Sequence, residues 1–336
     1  MEKIIRWGIL STANIGQKAM IPALKESSLA EVIAISSRSA ETARSCADEL
    51  GIPRAYEGYQ TLLEDPDIDA VYNPLPNHLH KEWSIRAAEA GKHILCEKPL
   101  ALNATECHEM ISAARANGVQ LMEAFMYRYH PRIQAAKKMV QSGEIGALKT
   151  IESAFSFRLT NPDNIRLQPD MGGGALMDVG CYCINVSRLM AGREPVSVQA
   201  RAHWASTGVD DQLVAILDFG DGLFAHFDCA LNQERRERCT LAGTEGYLEL
   251  PMTFVPGVVE TLIYQSPPGR DAAKGTVSSS GLTFPAANNY RLVAEDFMQG
   301  IDGKTPAFPI EDAISNMRVI EVLLDSARQN GRPVAP

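Results

Sequence analysis

Apolar residues recur along residues 1–125 with two alternating spacings. Short apolar runs predict buried strands over Ile4–Leu10, Val32–Ser36, Ala70–Asn73, His93–Glu97 and Gln120–Ala124. The stretches between them have helical periodicity and predict helices over Gly16–Lys25, Ala40–Leu50, Lys81–Ala90 and Ala104–Asn117. Strands that alternate with helices of this length form right-handed βαβ units around a parallel sheet. We therefore predict an α/β domain with a parallel sheet over residues 1–125.

The spacing changes after His130-Pro131. A helix over Arg132–Gln141 is followed by segments in which apolar and polar residues alternate: Leu148–Arg158, Val196–Trp204, Gln212–Phe219, Leu223–Leu231, Glu237–Leu241 and Tyr247–Leu250. Gly220-Asp221-Gly222 is typical of a hairpin turn, and Ser278–Gly281 of a loop. Two helices close the chain, over Tyr290–Gln299 and Ile310–Arg328. Residues 126–336 are therefore expected to form an α+β domain with a large open, mostly antiparallel sheet, and it stays open whether the last helices pack back on the first domain.

Composition narrows the class of protein. The 336 residues are 45% hydrophobic and 22% charged, as in globular enzymes, and the formal net charge of −9 argues against nucleic-acid and membrane partners. No apolar run approaches the roughly 20 residues of a membrane helix, and the first residues do not resemble a signal peptide. Seven cysteines without CxxC pairs indicate reduced thiols, and the pair Cys181 and Cys183 lacks the partners of a zinc site. We expect a cytoplasmic protein without a bound metal.

The turn after the first strand is lined by small residues. Its residues Ser11, Thr12, Ala13, Asn14 and Ile15 lead to Gly16, so that Ser11-x-Ala13-x-x-Gly16 replaces the usual G-x-G-x-x-G. In a Rossmann unit this turn holds a pyrophosphate on backbone N–H groups at the helix N-terminus, which requires small side chains. A tight turn without a ligand is the alternative, but the βαβ context favours dinucleotide binding.

The end of the second predicted strand indicates which dinucleotide is bound. NAD-specific sites usually place Asp or Glu there for the ribose hydroxyls. This chain has Ser37 and Arg38 instead, and an arginine fork suits a 2′-phosphate that a carboxylate would repel. The alternative is an exposed arginine at the start of the next helix. We predict NADP as the cofactor in preference to NAD.

Two segments that follow neighbouring strands are further candidates. Leu75, Pro76, Asn77 and His80 follow the strand Ala70–Asn73 and are expected near the cofactor. Glu97 and Lys98 end the strand that begins at His93 and are expected to bind the cofactor as well. Ligands of open parallel sheets bind beyond the carboxyl ends of the strands, which places Lys98 where a reacting group would lie. Pro99 restricts Lys98 to an extended conformation and helps to aim its side chain. From position alone, a solvated loop lysine is the alternative.

A glycine-rich approach precedes a helix in the second half. Gly172-Gly173-Gly174 leads into a segment whose apolar residues share one face. Asp178, Tyr182 and Asn185 lie at positions i, i+4 and i+7, which predicts a polar stripe beside that face. The stripe either faces water or lines a site, and the residues alone leave both readings open.

Together these motifs resemble the Gfo/Idh/MocA oxidoreductase family. The likeness rests on the degenerate glycine turn, Glu97-Lys98-Pro99, the segment Met122–Arg128 and the segment Gly172–Asn185, and it covers nearly the whole chain. It implies an N-terminal Rossmann domain and a C-terminal domain whose open sheet often forms oligomers. It also implies that Lys98 and Asp178 line the active site.

One position departs from the broad family pattern. Many members carry histidine where this chain has Tyr182, and tyrosine is similar to a subgroup that includes glucose–fructose oxidoreductase, dimeric dihydrodiol dehydrogenase and NADP-dependent D-xylose dehydrogenase. The resemblance therefore implies an NADP-dependent enzyme for a sugar-like substrate. Arg38 independently indicates the same cofactor. A homodimer or homotetramer is expected from the exposed face of the open sheet, where alternation in Leu223–Leu231 leaves apolar residues on one side.

The hypothesis for the chemistry is hydride transfer between nicotinamide and a substrate carbon, with proton exchange by Tyr182. A tyrosine of pKa about 10 needs a neighbouring cation near neutral pH, which Lys98 would provide. Asp178 is expected to orient either the substrate hydroxyls or Lys98, and the residues leave both roles open. Arg166 is a further candidate for contact with substrate. Two alternatives remain: an enzyme that couples two sugars through tightly bound NADP, and a non-catalytic regulator that senses NADP or a sugar.

Overall fold

The apolar runs of the first half form a six-stranded parallel sheet in the computed structural model, which describes residues 3–266 and 280–336. The strands are β1 (Ile5–Leu10), β2 (Ala30–Ser37), β3 (Arg54–Glu57), β4 (Ala70–Asn73), β5 (His93–Cys96) and β6 (Leu121–Glu123). The helices are α1 (Ile21–Lys25), α2 (Ala40–Leu50), α3 (Tyr59–Leu63), α4 (His80–Glu89) and α5 (Ala104–Ala116). The predicted parallel α/β fold is confirmed.

The strand order of this sheet is β3-β2-β1-β4-β5-β6. The order reverses between β1 and β4, and ligands of such sheets bind at the carboxyl ends of the strands beside this reversal. The sequence analysis missed β3 and α3. Arg54–Glu57 is a short edge strand that, among the described strands, pairs only with β2, and it has no apolar run. Tyr59–Leu63 is a helix of little more than one turn.

The second half contains an eight-stranded sheet, which confirms the prediction of a large, mostly antiparallel one. Its strands are β7 (Leu148–Arg158), β8 (Ser197–Trp204), β9 (Asp210–Asp218), β10 (Phe224–Ala230), β11 (Asn232–Gly243), β12 (Tyr247–Pro251), β13 (Thr261–Gln265) and β14 (Ser280–Phe284). They lie in the order β14-β13-β12-β11-β7-β10-β9-β8. Among the described strands of this second sheet, only β7 and β10 pair in parallel. The hairpin turn predicted at Gly220–Gly222 joins β9 to β10.

The helices of the second half are α6 (Pro131–Gln141), α7 (Cys181–Ala191), α8 (Asn289–Ile301) and α9 (Glu311–Arg328). Helices α6 and α7 pack on one face of the eight-stranded sheet. On the opposite face, β9 and β10 carry exposed side chains, among them Val214, Ile216 and Phe224. The loop prediction for Ser278–Gly281 is wrong at Ser280 and Gly281, which begin β14, an exposed edge strand without apolar alternation. Ser278 and Ser279 lie outside the described residues.

The chain divides into two compact units, Met1–Met126 with Asn288–Ile314, and Tyr127–Ala287 with Ser315–Pro336. In the first unit, α8 packs on α1 and on β5, and the rings of Trp7 and Phe297 lie 5.3 Å apart. Among the residues described, every helix is too short or too polar to cross a bilayer.

Candidate functional site

The turn after β1 has the backbone expected of an anion-binding loop. Ser11 adopts a φ of 88°, a left-handed conformation that is uncommon for a residue other than glycine. Its Oγ accepts a hydrogen bond from the Ala13 N–H at 3.2 Å, and the Gln17 side chain donates to the Thr12 carbonyl at 2.6 Å. The chain becomes helical at Asn14, so the N–H groups of Ala13, Asn14 and Ile15 lie at a helix N-terminus, where anions bind.

Ser37 and Arg38 end β2 at the same edge of the sheet. Ser37 is buried, and its Oγ accepts a hydrogen bond from the Ser39 N–H at 3.4 Å. Arg38 is exposed, and it forms no hydrogen bond or ion pair with any residue in the described part of the chain. Its guanidinium is therefore available to a phosphate, and no carboxylate occupies the position that repels one.

His80 holds two loops of the sheet edge together. Its side chain is fully buried, with Nδ1 at 2.9 Å from the Pro99 carbonyl oxygen and Nε2 at 2.7 Å from the Leu75 carbonyl oxygen. Burial lowers the pKa of His80 to about 4. Leu75 is also buried, whereas Pro76 and Asn77, at the start of a 3₁₀ turn, are partly exposed. The neutral ring has one N–H and donates it to one of these carbonyls at a time. Because both ring nitrogens face backbone, His80 is placed to fix the loops rather than to contact a ligand directly.

The Glu97 carboxylate lies between a buried tyrosine and the backbone of Lys98. Tyr72 on β4 is fully buried, and its hydroxyl donates to Glu97 Oε1 at 2.6 Å. The Lys98 N–H donates to Glu97 Oε2 at 3.3 Å, and the Lys98–Pro99 peptide bond is cis. Burial and the nearby carboxylate raise the pKa of Tyr72 well above its usual value. Lys98 itself is partly exposed, at the end of β5 next to β4.

In the second unit, the glycines before Tyr182 lie so close to neighbouring atoms that they leave no room for a side chain. A Cβ at Gly173 would lie 2.5 Å from the Arg166 carbonyl oxygen, and one at Gly174 would overlap the Asp210 carboxylate. Gly174 also has a φ of 119°, which side chains rarely allow. Asp210 was not predicted as part of this region. Its Oδ2 accepts a hydrogen bond from the Leu176 N–H at 2.7 Å at the start of the helix, and burial raises its pKa to about 7.

Asp178 and Arg166 form an ion pair. Arg166 Nε donates to Asp178 Oδ2 at 2.6 Å, and the guanidinium lies 5.8 Å from the centre of the Phe157 ring. The Arg166 side chain is 39% exposed and that of Asp178 only 13%. The structure therefore brings these two predicted substrate contacts together, with the arginine as the more accessible partner.

Tyr182 lies in a cluster of aromatic rings, and it is 5% exposed. The centres of the Tyr127, Phe155 and Phe254 rings are 5.7, 5.4 and 5.3 Å from its own. The hydroxyl of Tyr127 donates to Asn185 Oδ1 at 2.7 Å. The reading of this helix as a polar face exposed to water is wrong, because Tyr182 and Asn185 are both buried.

The stripe of polar residues is also less regular than predicted. Residues Leu176–Gly180 form a π-helical turn in which the Cys181 N–H donates to the Leu176 carbonyl. Asp178 lies inside this turn, and the regular α-helical spacing applies only from Cys181 onward. The sequence contained no signal for the extra residue of the turn.

The residues of the first unit fit a dinucleotide phosphate. Small side chains line the turn at a helix N-terminus, and Arg38 follows the adjacent strand as an available cation. Within residues 3–266 and 280–336, no group of three His, Cys, Asp or Glu side chains is arranged to hold a metal ion, and the seven cysteines are buried thiols. The second unit presents a tyrosine, a carboxylate and a guanidinium, which suit proton exchange and hydrogen bonding to hydroxyl groups.

Comparison with known proteins gives the same assignment for both halves. Residues 5–125 match the model described as an oxidoreductase family with an NAD-binding Rossmann fold, and residues 133–249 match that of the GFO/IDH/MocA C-terminal domain. The chain is 39% identical over 325 residues to D-xylose 1-dehydrogenase (NADP(+)) 2 of Haloferax volcanii, covering 96% of this chain and 97% of the relative.

Two solved structures are similar over almost their whole length. KijD10, a 3-ketoreductase from Actinomadura kijaniata in complex with NADP and TDP-benzene, has a TM-score of 0.88 at 29% identity, covering 96% of this chain and 98% of the other. The aldose–aldose oxidoreductase from Caulobacter crescentus, complexed with glycerol, has a TM-score of 0.88 at 26% identity, covering 99% and 100%.

Proposed function

The chain belongs to the Gfo/Idh/MocA oxidoreductase family, and from this premise we propose that it is an NADP-dependent dehydrogenase or reductase of a sugar or related polyol. The observation that carries the proposal is the exposed, available Arg38 beside Ser37 at the end of β2. A relative named for NADP and D-xylose and a similar ketoreductase structure with NADP support it. The first unit is assigned to the cofactor and the second to substrate.

The cofactor residues act through charge and backbone. Bound NADP would supply the hydride acceptor or donor at its nicotinamide ring. The N–H groups of Ala13, Asn14 and Ile15 would bind the pyrophosphate, and Arg38 with Ser37 would bind the 2′-phosphate. His80 holds the loops that carry Leu75 and Pro99, which follow two adjacent strands.

In the proposed chemistry, Tyr182 exchanges the proton of the substrate oxygen. In the direction of oxidation, deprotonated Tyr182 accepts the proton of the substrate hydroxyl and the C–O bond of that carbon becomes C=O, while the hydride on the carbon would pass to the acceptor that bound NADP supplies. Lys98 assists by lowering the pKa of the tyrosine and by stabilising negative charge on the oxygen. Asp178 accepts hydrogen bonds from neighbouring hydroxyl groups of the substrate, and Arg166 donates hydrogen bonds to them. These contacts orient the substrate and determine which of its carbons reacts.

The cofactor assignment is tested with Arg38→Ala. We expect the ratio of kcat/KM with NADP to that with NAD to fall by 10-fold or more, since one charged hydrogen bond contributes about 1.5–3 kcal/mol. Arg44→Ala, which removes an exposed arginine of α2 in the same unit, serves as the matched control. An unchanged cofactor ratio in Arg38→Ala would remove the main support for NADP.

The chemistry is tested with Lys98→Met and Tyr182→Phe, assayed by NADPH absorbance on a panel of aldoses, dihydrodiols and keto-sugars. Loss of a proton donor should lower kcat by roughly 10²–10⁴-fold. Near-normal turnover by both variants would refute this mechanism. An inactive native protein that still binds NADP and sugar would instead support the regulator.

A second candidate is oxidation of one sugar coupled to reduction of another, favoured by the similarity to the aldose–aldose oxidoreductase structure. Such an enzyme keeps its cofactor between half-reactions. Purified protein would then retain nicotinamide absorbance through dialysis, and one sugar would be reduced at the expense of another without added NADP. Loss of all nicotinamide on dialysis would favour the simple dehydrogenase.

We also propose that the chain forms a homodimer or homotetramer through the open face of the eight-stranded sheet. Val214 and Ile216 on β9 and Phe224 on β10 are 49%, 48% and 45% exposed on this face. Large apolar side chains that are exposed on one face of a sheet favour an interaction surface there. Light scattering should give an oligomeric mass that falls on Ile216→Lys, and a monomeric native protein would contradict the assignment.

A further inference from the structure

The segment between β12 and β13 carries one of the rings that surround Tyr182. Phe254 is fully buried, stacks on Phe155 at 5.2 Å with an interplanar angle of 10°, and lies 5.3 Å from Tyr182. It also meets Tyr127 edge-on at 5.4 Å. Phe254 thus contacts the other three rings of the cluster, although it belongs to a segment without regular secondary structure.

A buried arginine holds the start of this segment. The guanidinium of Arg132, near the start of α6, donates from Nη1 to the Pro251 carbonyl at 2.6 Å and from Nη2 to the Met252 carbonyl at 2.7 Å. Arg132 is only 1% exposed, and burial lowers its pKa to about 10. A cation removed from water in this way is retained only where fixed acceptors compensate for the lost hydration.

A buried glutamate holds the other end. Glu237 Oε2 on β11 accepts hydrogen bonds from the N–H groups of Phe254 at 3.3 Å and Val255 at 2.7 Å. Its Oε1 accepts one from Arg235 Nε at 3.0 Å, and the glutamate side chain is fully buried. Backbone on both sides of Phe254 is therefore fixed by a charged group.

The segment that Arg132 and Glu237 hold also contains an unfavourable backbone conformation. Met252 has a φ of 47°, which a side chain other than glycine adopts at a cost. Two buried charges and a strained residue stabilise a loop no better than apolar side chains of similar size would, because burying each charge costs hydration energy. They do define the position of Phe254 by charged, directional hydrogen bonds, which apolar packing would not.

We propose that Arg132 and Glu237 are positioning residues, which hold Phe254 so that its ring fixes the orientation of Tyr182 for proton transfer. The inference rests on the proposed role of Tyr182 as the acid and base. A tyrosine ring packed by three other rings keeps its hydroxyl in one direction, and small displacements of reacting groups lower turnover strongly. Loosening this contact slows the proton transfer and leaves cofactor binding intact.

The test uses Phe254→Leu and Glu237→Gln in the full-length protein. The first removes the ring, and the second keeps the shape of the side chain but removes its charge. The matched control is Phe227→Leu, since Phe227 on β10 is equally buried in the second unit and forms no ring contact among the described residues. Thermal melting and titration with NADPH establish that each variant is folded.

We expect kcat to fall about 10–100-fold in both test variants, with KM for NADP within about twofold of the native value. The solvent deuterium isotope effect on kcat should rise, because proton transfer becomes more rate-limiting. Phe227→Leu should lower the melting temperature without changing either quantity. If one test variant does not fold, the other decides by the same measurements.

A loss of kcat no larger than that of Phe227→Leu, or an unchanged solvent isotope effect, would overturn the inference. Tyr182→Phe, measured alongside, separates this failure from failure of the proposed function. If Tyr182→Phe is fully active, the acid–base assignment itself is wrong. If it is inactive while Phe254→Leu behaves like the control, only the positioning role is wrong.

Discussion

Replacing Tyr72 by phenylalanine would test how the Glu97-Lys98 segment is held. The substitution removes only the hydroxyl that donates to Glu97 Oε1 at 2.6 Å and keeps the fully buried ring of β4. No cavity larger than one oxygen atom is created, so the effect isolates the hydrogen bond. Glu97 Oε2 in turn accepts from the Lys98 N–H, so the loss acts on the backbone of the proposed catalytic lysine.

The magnitude follows from the kind of bond that is lost. A hydrogen bond to a charged group contributes about 1.5–3 kcal/mol to the free energy of unfolding, which changes the unfolding equilibrium by roughly 10–150-fold. For a domain of this size, the melting temperature should fall by about 3–12 °C. If Lys98 moves, kcat should fall by about 10–100-fold as well.

The control is Tyr56→Phe. The Tyr56 hydroxyl donates to Asp65 Oδ2 at 2.8 Å, so the same chemical change removes the same kind of bond from the edge strand β3. Urea unfolding and NADPH turnover would be measured on both variants. Both should lose stability, but only Tyr72→Phe should lose activity. Equal activity in the two variants would refute the claim that this hydrogen bond positions Lys98.

Three further predictions concern charge. Because the pKa of His80 is lowered to about 4 from the usual 6.5, the neutral ring stabilises the fold above pH 6.5, and about 3 kcal/mol of this stability is lost as the pH falls through 4. In His80→Gln the midpoint of urea unfolding should therefore depend less on pH between pH 7 and pH 4, and a dependence as steep as that of the native protein would contradict this. The pKa of Asp210 is raised to about 7 from 3.8, so its contribution to the stability of the fold is present below pH 3.8 and is lost as the pH rises through 7. Asp210→Asn should therefore raise the melting temperature more at pH 8 than at pH 5, and the reverse order would be inconsistent with the buried carboxylate. Arg193 and Asp221 form an exposed ion pair, so Arg193→Ala should change the free energy of unfolding by less than about 1 kcal/mol in urea titrations, and a larger loss would show an unrecognised role for the pair.

Apolar periodicity predicted most strands of both sheets, including the edge strands β6 and β8, but it missed the edge strands β3 and β14 and also β13, which pairs with β14. β1 and β4 are buried on both faces and therefore appear as nearly continuous apolar runs, apart from the partly exposed Arg6 in β1 and the polar Asn73 at the end of β4. β3 and β14 lie at sheet edges, where few side chains are buried and the hydrophobic pattern disappears. An edge strand is specified by the neighbour with which it pairs, and that information is not local in sequence.

The candidate site was visible only where its residues follow a strand or a glycine turn. Lys98 and Arg38 could be placed because parallel strands bring their carboxyl ends to one edge. Glu237 could not, because it stands in Arg235-Arg236-Glu237-Arg238, a charged run that is typical of a solvated surface. Alternation along β11 turns this glutamate inward, and only the fold shows which of the four charges is buried.

The helix after the proposed pyrophosphate turn and the helix after Gly172–Gly174 each contain a π-helical turn within two residues of their start, Gly16–Met20 in the first unit and Leu176–Gly180 in the second. A π turn holds one residue more than an α-helical turn, and removing it would rotate everything on its N-terminal side by about 100°. In the second unit Asp178 lies within that turn, whereas Tyr182 lies beyond it. A single-residue deletion would therefore re-aim the carboxylate while the tyrosine kept its place, so chain length as well as side-chain identity determines the direction of this proposed substrate-binding group.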